Sequence, residues 1–239
     1  MNIYEISDLG EKLQNNTYPG RGIVVGLTED GKKAFFAYFI MGRSENSRNR
    51  IFIEENEDIK ILPFDESKVQ DPSLIIYYPV RKIGNDLIVT NGDQTDTIFN
   101  FVKEGKTFEQ ALDTRQFEPD RPNYTPRISA MLYIGKEYQY KMSILKSADS
   151  EGTACNRYTY TYSALKGLGH FIHTYECDGN PIPTFQGEPE RVKIPNDFAK
   201  FSAYIWESLN KDNKVSLVCE QVDLETGKVE KVIKNKHIN

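Results

Sequence analysis

The segment 22–41, GIVVGLTEDGKKAFFAYFIM, reads as two β-strands, 22–27 and 33–41, joined by a turn that carries Asp30-Gly31. An Asp-Gly step between apolar runs is a strong hairpin signal, because glycine supplies the positive φ that a tight turn demands. The pattern recurs along the chain. Candidate strands lie at 49–54, 57–62, 74–81, 86–90, 127–134, 138–146, 155–163, 168–175 and 191–194, and KVSLVCEQVDLETGKVEKVIK forms a hairpin turned at Thr226-Gly227. Helices are expected at 3–15, at about 95–104, from Thr107, where Gln110 completes a capping box, and at 196–209 with Asn196 as cap. Strands in consecutive hairpins, with helices gathered between groups of strands, define an α+β class built on antiparallel sheet. A doubly wound fold would need strict β-α-β alternation, which is absent.

Composition narrows the function classes. The 239 residues are 38% hydrophobic and 27% charged, which suits one globular domain, or one domain with decorations, able to bury a real core. A net charge of −5 and a pI near 5.4 argue against a nucleic-acid footprint, which needs a basic face. No apolar run approaches the length that spans a bilayer, and the acidic start MNIYEISDLGEKL does not read as a signal peptide. Cys155, Cys177 and Cys219 lack the paired spacing of a disulfide framework or zinc site, so a reducing cytoplasm is expected. His170 and His173 stand three apart on a predicted strand. Odd spacing puts them on opposite faces, where they cannot chelate one metal.

Four polar constellations stand out. VTNGDQTDTI (89–98) is a strand-to-helix junction with more caps than one helix start needs. Asp93, Thr95 or Asp96 would suffice for capping, and Asn91-Gly92 gives a turn sharp enough to bring backbone close to a ligand. Arg21 after YPG, and Arg43, Arg48 and Arg50 in GRSENSRNR, read either as solvated arginines or as a phosphate clamp, since guanidinium groups bind phosphate through paired N–H bonds; Ser44 and Ser47 can add donors. No Walker loop or dinucleotide glycine fingerprint is present, so any phosphate would be held by arginines. FEPDRPNYTPRISAM sets Glu118 and Asp120 just before a strand, as ordinary surface acids or as a pair of carboxylates with separated pKa values. ECDGNPIPTFQGEPE is a loop too long and too particular in composition for a plain turn.

YPGRGIVVG, GRSENSRNR, VTNGDQTD, YTPRI and TYECDGNPIPTFQGEP, in that order over roughly 18–194, resemble the archaeal-type inosine-monophosphate cyclohydrolases and their bacterial relatives. The resemblance implies an Ntn-hydrolase-like four-layer αββα sandwich of two antiparallel sheets between helices. It implies a single domain over 1–239, with a core at about 18–195 and extensions at 1–17 and 196–239. It implies ring closure of 5-formamidoimidazole-4-carboxamide ribonucleotide to inosine monophosphate with loss of water, in purine biosynthesis. A cytoplasmic homo-oligomer is expected, with a small purine ribonucleotide as partner and neither nucleic acid nor membrane. A catalytically silent purine-nucleotide binder is the alternative. Ntn-type amidohydrolysis is not expected, because the chain begins Met1-Asn2 without a processed nucleophile.

The implied reaction is intramolecular, so it calls for no metal and no cofactor. The protein must hold the reactive rotamer, accept a proton and stabilise the developing oxyanion. On the resemblance, Arg21, Arg43 and Arg48 hold the phosphate, or one of them the oxyanion. Asn91, Gly92, Asp93 and Thr95 line the base or ribose, and Asp96 orients an arginine. Glu118 transfers the proton, Tyr77 or Tyr78 donates to the formyl oxygen, and Arg127 contacts an anion or pairs with Glu118. The relatives' loop commonly reads SRSFPNR, against GRSENSRNR here, which leaves Arg48 and Arg50 as alternatives for one position.

Overall fold

The structure, a computed structural model, describes residues 2, 4–69, 76–135 and 137–238. Two antiparallel sheets make up most of it. Strands β1 (Arg21–Leu27), β2 (Lys33–Met41), β10 (Leu168–His173), β11 (Glu190–Lys193), β12 (Lys214–Asp223) and β13 (Val229–Asn235) form a six-stranded sheet in the order β11-β10-β1-β2-β12-β13. Strands β3 (Ile51–Glu55), β4 (Asp58–Leu62), β5 (Val80–Ile83), β6 (Asp86–Thr90), β7 (Arg127–Tyr133), β8 (Gln139–Ser147) and β9 (Cys155–Ser163) form a seven-stranded meander in sequence order. The helices are α1 (Leu9–Asn15), the one-turn α2 (Glu45–Arg48), α3 (Gln94–Lys103), α4 (Phe108–Asp113) and α5 (Phe198–Ser208).

Strand β2 shows why the layers stack. Its sequence KAFFAYFIM is apolar on both faces, and all but its first residue are buried. Phe36, Tyr38 and Ile40 point to one side and share a core with Phe52, Ile61, Val89, Ile128, Tyr140 and Met142 of the second sheet. Phe35, Phe39 and Met41 point to the other and pack with Leu9 and Leu13 of α1 and Phe198, Phe201 and Ile205 of α5. A third cluster joins Ile88, Met131 and Leu145 of the meander to Ile98 of α3 and Phe108 and Leu112 of α4. Each fully buried side chain of this size stabilises the fold by about 1.5–3 kcal/mol.

The predicted hairpin at 28–33 and the Thr107–Gln110 capping box are both present. Other expectations change for local reasons. The N-terminal helix begins only at Leu9, capped by Asp8, because Ser7 already bonds to Arg191 and Lys193 beside β11; position 3 of that prediction lies outside the described residues. The strand expected from 49 starts at Ile51, since Ser44 and Ser47 close a capping box around α2. Of the strand expected at 74–81, positions 74 and 75 lie outside the described residues and β5 starts at Val80. Helix α5 is capped by Asp197, not Asn196, whose side chain instead accepts from the Asp30 amide at 2.9 Å. The C-terminal part expected as an extension supplies a strand inside the sheet: β12 pairs with β2 from Met41 to Lys33, between β2 and β13.

Candidate active site

Arg21 is the first residue of β1, and its backbone is fixed from both sides. Its amide donates to Thr174 Oγ1 at 3.1 Å and its carbonyl accepts from the Thr174 amide at 3.0 Å. The preceding Gly20 has φ +77°, and a Cβ there would sit 2.2 Å from Thr174 Oγ1, so only glycine fits. Arg50 reaches the same place from the turn between α2 and β3 and is only 8% exposed. Among the described residues neither guanidinium has a protein hydrogen bond or an ion pair, and both Nε atoms are buried without a partner. Burial, reinforced by repulsion from Arg21, pulls Arg50 below its usual range. Burial acts on Arg21 in the same direction, but the surrounding phenol oxygens and Glu118 outweigh it and hold that group above its usual range. A buried cation beside a half-buried one, neither hydrogen-bonded to protein, costs a folded protein free energy that a bound anion offsets.

Both arginines line a cavity of about 530 Å³ with Arg43, Arg127, Glu118, Tyr18, Thr125 and Tyr175. That volume lies in the range of small-molecule sites. Arg127, the first residue of β7, places Nη1 at 2.8 Å from Gln94 Oε1, 2.9 Å from Asp93 Oδ1 and 4.0 Å from Glu118 Oε1. Gly92 makes this possible, since a Cβ there would lie 1.7 Å from the same Nη1. Asp93 also takes Arg115 at 2.6 Å; burial raises its pKa, but the two guanidiniums outweigh that and hold it below the usual carboxylate range. Arg43 lies over the Tyr18 ring at 5.0 Å, is paired with Asp178 and donates to the Gly179 carbonyl at 2.8 Å. Tyr18 stacks on Tyr175 at 5.9 Å. The Asp120 carboxylate accepts from both the amide and hydroxyl of Thr125, so the Thr125 oxygen must accept from the Tyr175 hydroxyl at 2.6 Å.

Of the residues singled out in the sequence, Arg21, Arg43, Glu118 and Arg127 line one cavity, and others stand elsewhere. Arg48 points away, donating to the Gly42 carbonyl at 2.9 Å and to Asn213 at 3.1 Å; the pocket arginine of this loop is Arg50. Tyr78 bonds to Glu55 on the meander and lies between Lys60 and Arg81, outside the cavity lining. Asp96 pairs with an arginine that is not in the cavity lining, Arg81, at 2.8 Å. Tyr77 is buried and faces Arg21, yet its hydroxyl donates to the Asn91 carbonyl at 2.8 Å, so its hydrogen is already committed. Asn91 and Thr95 support the wall from behind. Asn91 bonds to Pro126, Ile128 and Gln94, and Thr95 bonds to Thr90 and Gly92. Asp93 is the N-cap of α3 without a side-chain capping bond, so none of the junction's acids serves as a cap.

Sequence reasoning held Arg50 only as an alternative to Arg48, and it missed Tyr18, Thr125 and Tyr175 as wall residues. Tyr18 and Thr125 lie inside motifs that were singled out, but no pattern marks which polar residue turns inward. The two histidines do part as strand periodicity requires. His170 accepts from or donates to Tyr140 at 2.7 Å and stacks on Tyr162, whereas His173 stacks on Phe171 and sits 3.6 Å from Glu190.

Fold and cavity together define an antiparallel α+β protein whose arginine-rich pocket is built to receive a small anion-bearing molecule. A family model described as IMP cyclohydrolase-like protein matches residues 18–227, and the chain belongs to that family. It is 30% identical over 195 aligned positions to an IMP cyclohydrolase of Methanococcus aeolicus, covering 77% of this chain and 90% of that protein. It is 34% identical to an IMP cyclohydrolase of Methanococcus maripaludis, covering 65% and 79%, and 28% identical to one of Methanopyrus kandleri, covering 71% and 89%. The family match runs through β12, in keeping with that strand's central place in the sheet.

Proposed function

We propose that this protein is an IMP cyclohydrolase of purine biosynthesis, acting in the cytoplasm as one domain with an Ntn-hydrolase-like four-layer arrangement. The observation that carries this reading is the pair of guanidiniums, Arg21 and Arg50, that among the described residues have no protein hydrogen bond or ion pair and line one cavity with the Glu118 carboxylate. A phosphate monoester supplies the missing charge, and two guanidiniums bind it through short, charge-assisted hydrogen bonds. Arg43, stacked on Tyr18 at the cavity wall, adds a third cation.

With the phosphate held, the imidazole's adjacent formamido and carboxamide groups lie toward Glu118 and Arg127. The carboxamide nitrogen attacks the formyl carbon. The C–N bond forms, the N–H proton passes to Glu118, and the formyl oxygen gains charge facing Arg127. Glu118 then returns the proton to that oxygen, giving a neutral carbinolamine; the C–O bond breaks as a second N–H proton of the new ring passes to the departing hydroxyl, so water leaves and a C=N bond forms. Arg127 is suited to the oxyanion because Asp93, Gln94 and Gly92 fix its position before the reaction, so no reorganisation is needed.

The test follows ultraviolet absorbance as the formamido ribonucleotide becomes a hypoxanthine nucleotide. Glu118→Gln is expected to lower turnover about 100-fold or more while inosine monophosphate still binds. Unchanged turnover removes Glu118 from the role, and binding without turnover in the unaltered protein would leave a nucleotide binder.

A further inference from the structure

The four sheet edges are not alike. Strand β11 has four residues, three of them charged, and β3 has five, ending in Glu54 and Glu55. Strand β13 carries Glu230, Lys231 and Lys234 along its length. These are the devices by which proteins keep an edge from pairing with another chain. Strand β9 carries a single charge, Arg157, whose side chain is turned onto the Cys155 and Arg115 carbonyls. It runs for nine residues, CNRYTYTYS, with no proline, no acid and no lysine, and most of it is exposed. Among the described residues its backbone pairs with no strand but β8; its other backbone bonds are local, from Arg157 to the Cys155 carbonyl and from the Cys155 thiol to the Asn156 carbonyl. Its Tyr and Thr content is that of a strand with high β-propensity.

The central sequence, Tyr158-Thr159-Tyr160-Thr161-Tyr162, reads the same in both directions. We infer that β9 pairs antiparallel with β9 of a second copy of this chain, about a two-fold axis through Tyr160, joining the two meanders into one continuous sheet. A two-fold interface requires a surface complementary to itself, and a palindromic strand meets that requirement in antiparallel register. Tyr158 then faces the partner's Tyr162, Thr159 faces the partner's Thr161, and Arg157 faces the partner's Ser163, so the two arginines stay apart. Aromatic–aromatic and Thr–Thr cross-strand pairs are among the stabilising ones. The threonines stand opposite Ser143 and Lys141 of β8, on the face away from the core shared by the sheets, and both are exposed. They can be changed without disturbing that core.

Light scattering on the full-length protein tests the register as well as the pairing. The unaltered chain is expected at about 55 kDa, twice its 27.5 kDa, or at a multiple of that pair. T159K/T161K sets lysine against lysine across the axis and is expected to halve the mass, with an unchanged circular dichroism spectrum. T159K/T161E sets lysine against glutamate and is expected to keep the paired mass. A monomeric unaltered chain, a pair that survives T159K/T161K, or a T159K/T161E protein that falls to half mass would each overturn the inference. None of these residues lines the substrate cavity, so nucleotide binding by all three proteins separates this result from the fate of the catalytic reading.

Discussion

The junction after β6 and the pocket beneath β1 hold the same kinds of residue in opposite states. At the junction, Thr90, Asn91, Gln94 and Thr95 satisfy one another and the neighbouring backbone, and all four are buried. In the pocket, among the described residues, Arg21 and Arg50 have no hydrogen bond or ion pair to protein, and their Nε atoms are buried without a partner. Density of polar residues marks both regions in the sequence. Only the unanswered set calls for a ligand; the answered set holds Arg127 in position for it.

The contrast can be broken most sharply within one loop. Arg50→Gln should lower kcat/KM for the formamido ribonucleotide roughly 100-fold, since charge-assisted bonds are worth about 1.5–3 kcal/mol each. Arg48→Gln, two residues away, should stay within about twofold, as expected of a site outside the pocket. Equal losses in the two variants would erase the distinction between them. Gly92→Ala probes the link between regions. The new methyl group would displace Arg127, and steady-state kinetics should show a loss of roughly 10- to 100-fold.

Asn91→Ala tests the junction alone. It strands the Ile128 amide, the Pro126 carbonyl and the Gln94 amide group, so urea unfolding should report a loss of about 2–3 kcal/mol. Nucleotide affinity, measured well below the melting temperature, should change far less.

The smallest effect concerns pH. Burial, with repulsion from Arg191, lowers the His170 pKa to about 4, against about 6.5 for an unfolded chain. Between those values the unfolded chain binds the extra proton, so His170 contributes full stability above about pH 6.5 and loses it as pH falls toward 4. His170→Gln should flatten the fall of the thermal midpoint across that window. An identical slope in the variant would assign the acid sensitivity elsewhere.

Much of the fold was legible in residue patterns. The hairpin at Asp30-Gly31, the capping box at Thr107 and the separation of His170 from His173 all follow from turn chemistry and strand periodicity, which are local properties. Helix starts were read less well, because Ser7 is held by the backbone of β11 and Asn196 by the Asp30 amide in the β1–β2 turn, which leaves Asp8 and Asp197 to cap. The site was legible as a set of motifs: Arg21, Arg43, Glu118 and Arg127 meet in one cavity although 106 positions of chain separate the first from the last.

The sequence by itself determined the antiparallel α+β class, the places where the chain turns and the supply of arginines and acids for an anion site, because backbone propensity and side-chain chemistry act over a few residues. Tertiary structure alone decided that Arg50 and not Arg48 enters the pocket, that the Tyr77 hydroxyl donates to the Asn91 carbonyl, and that β12 lies beside β2. Those outcomes depend on which groups meet across the two sheets, where a one-turn helix before β3 is enough to send one arginine inward and leave its neighbour on the outer loop.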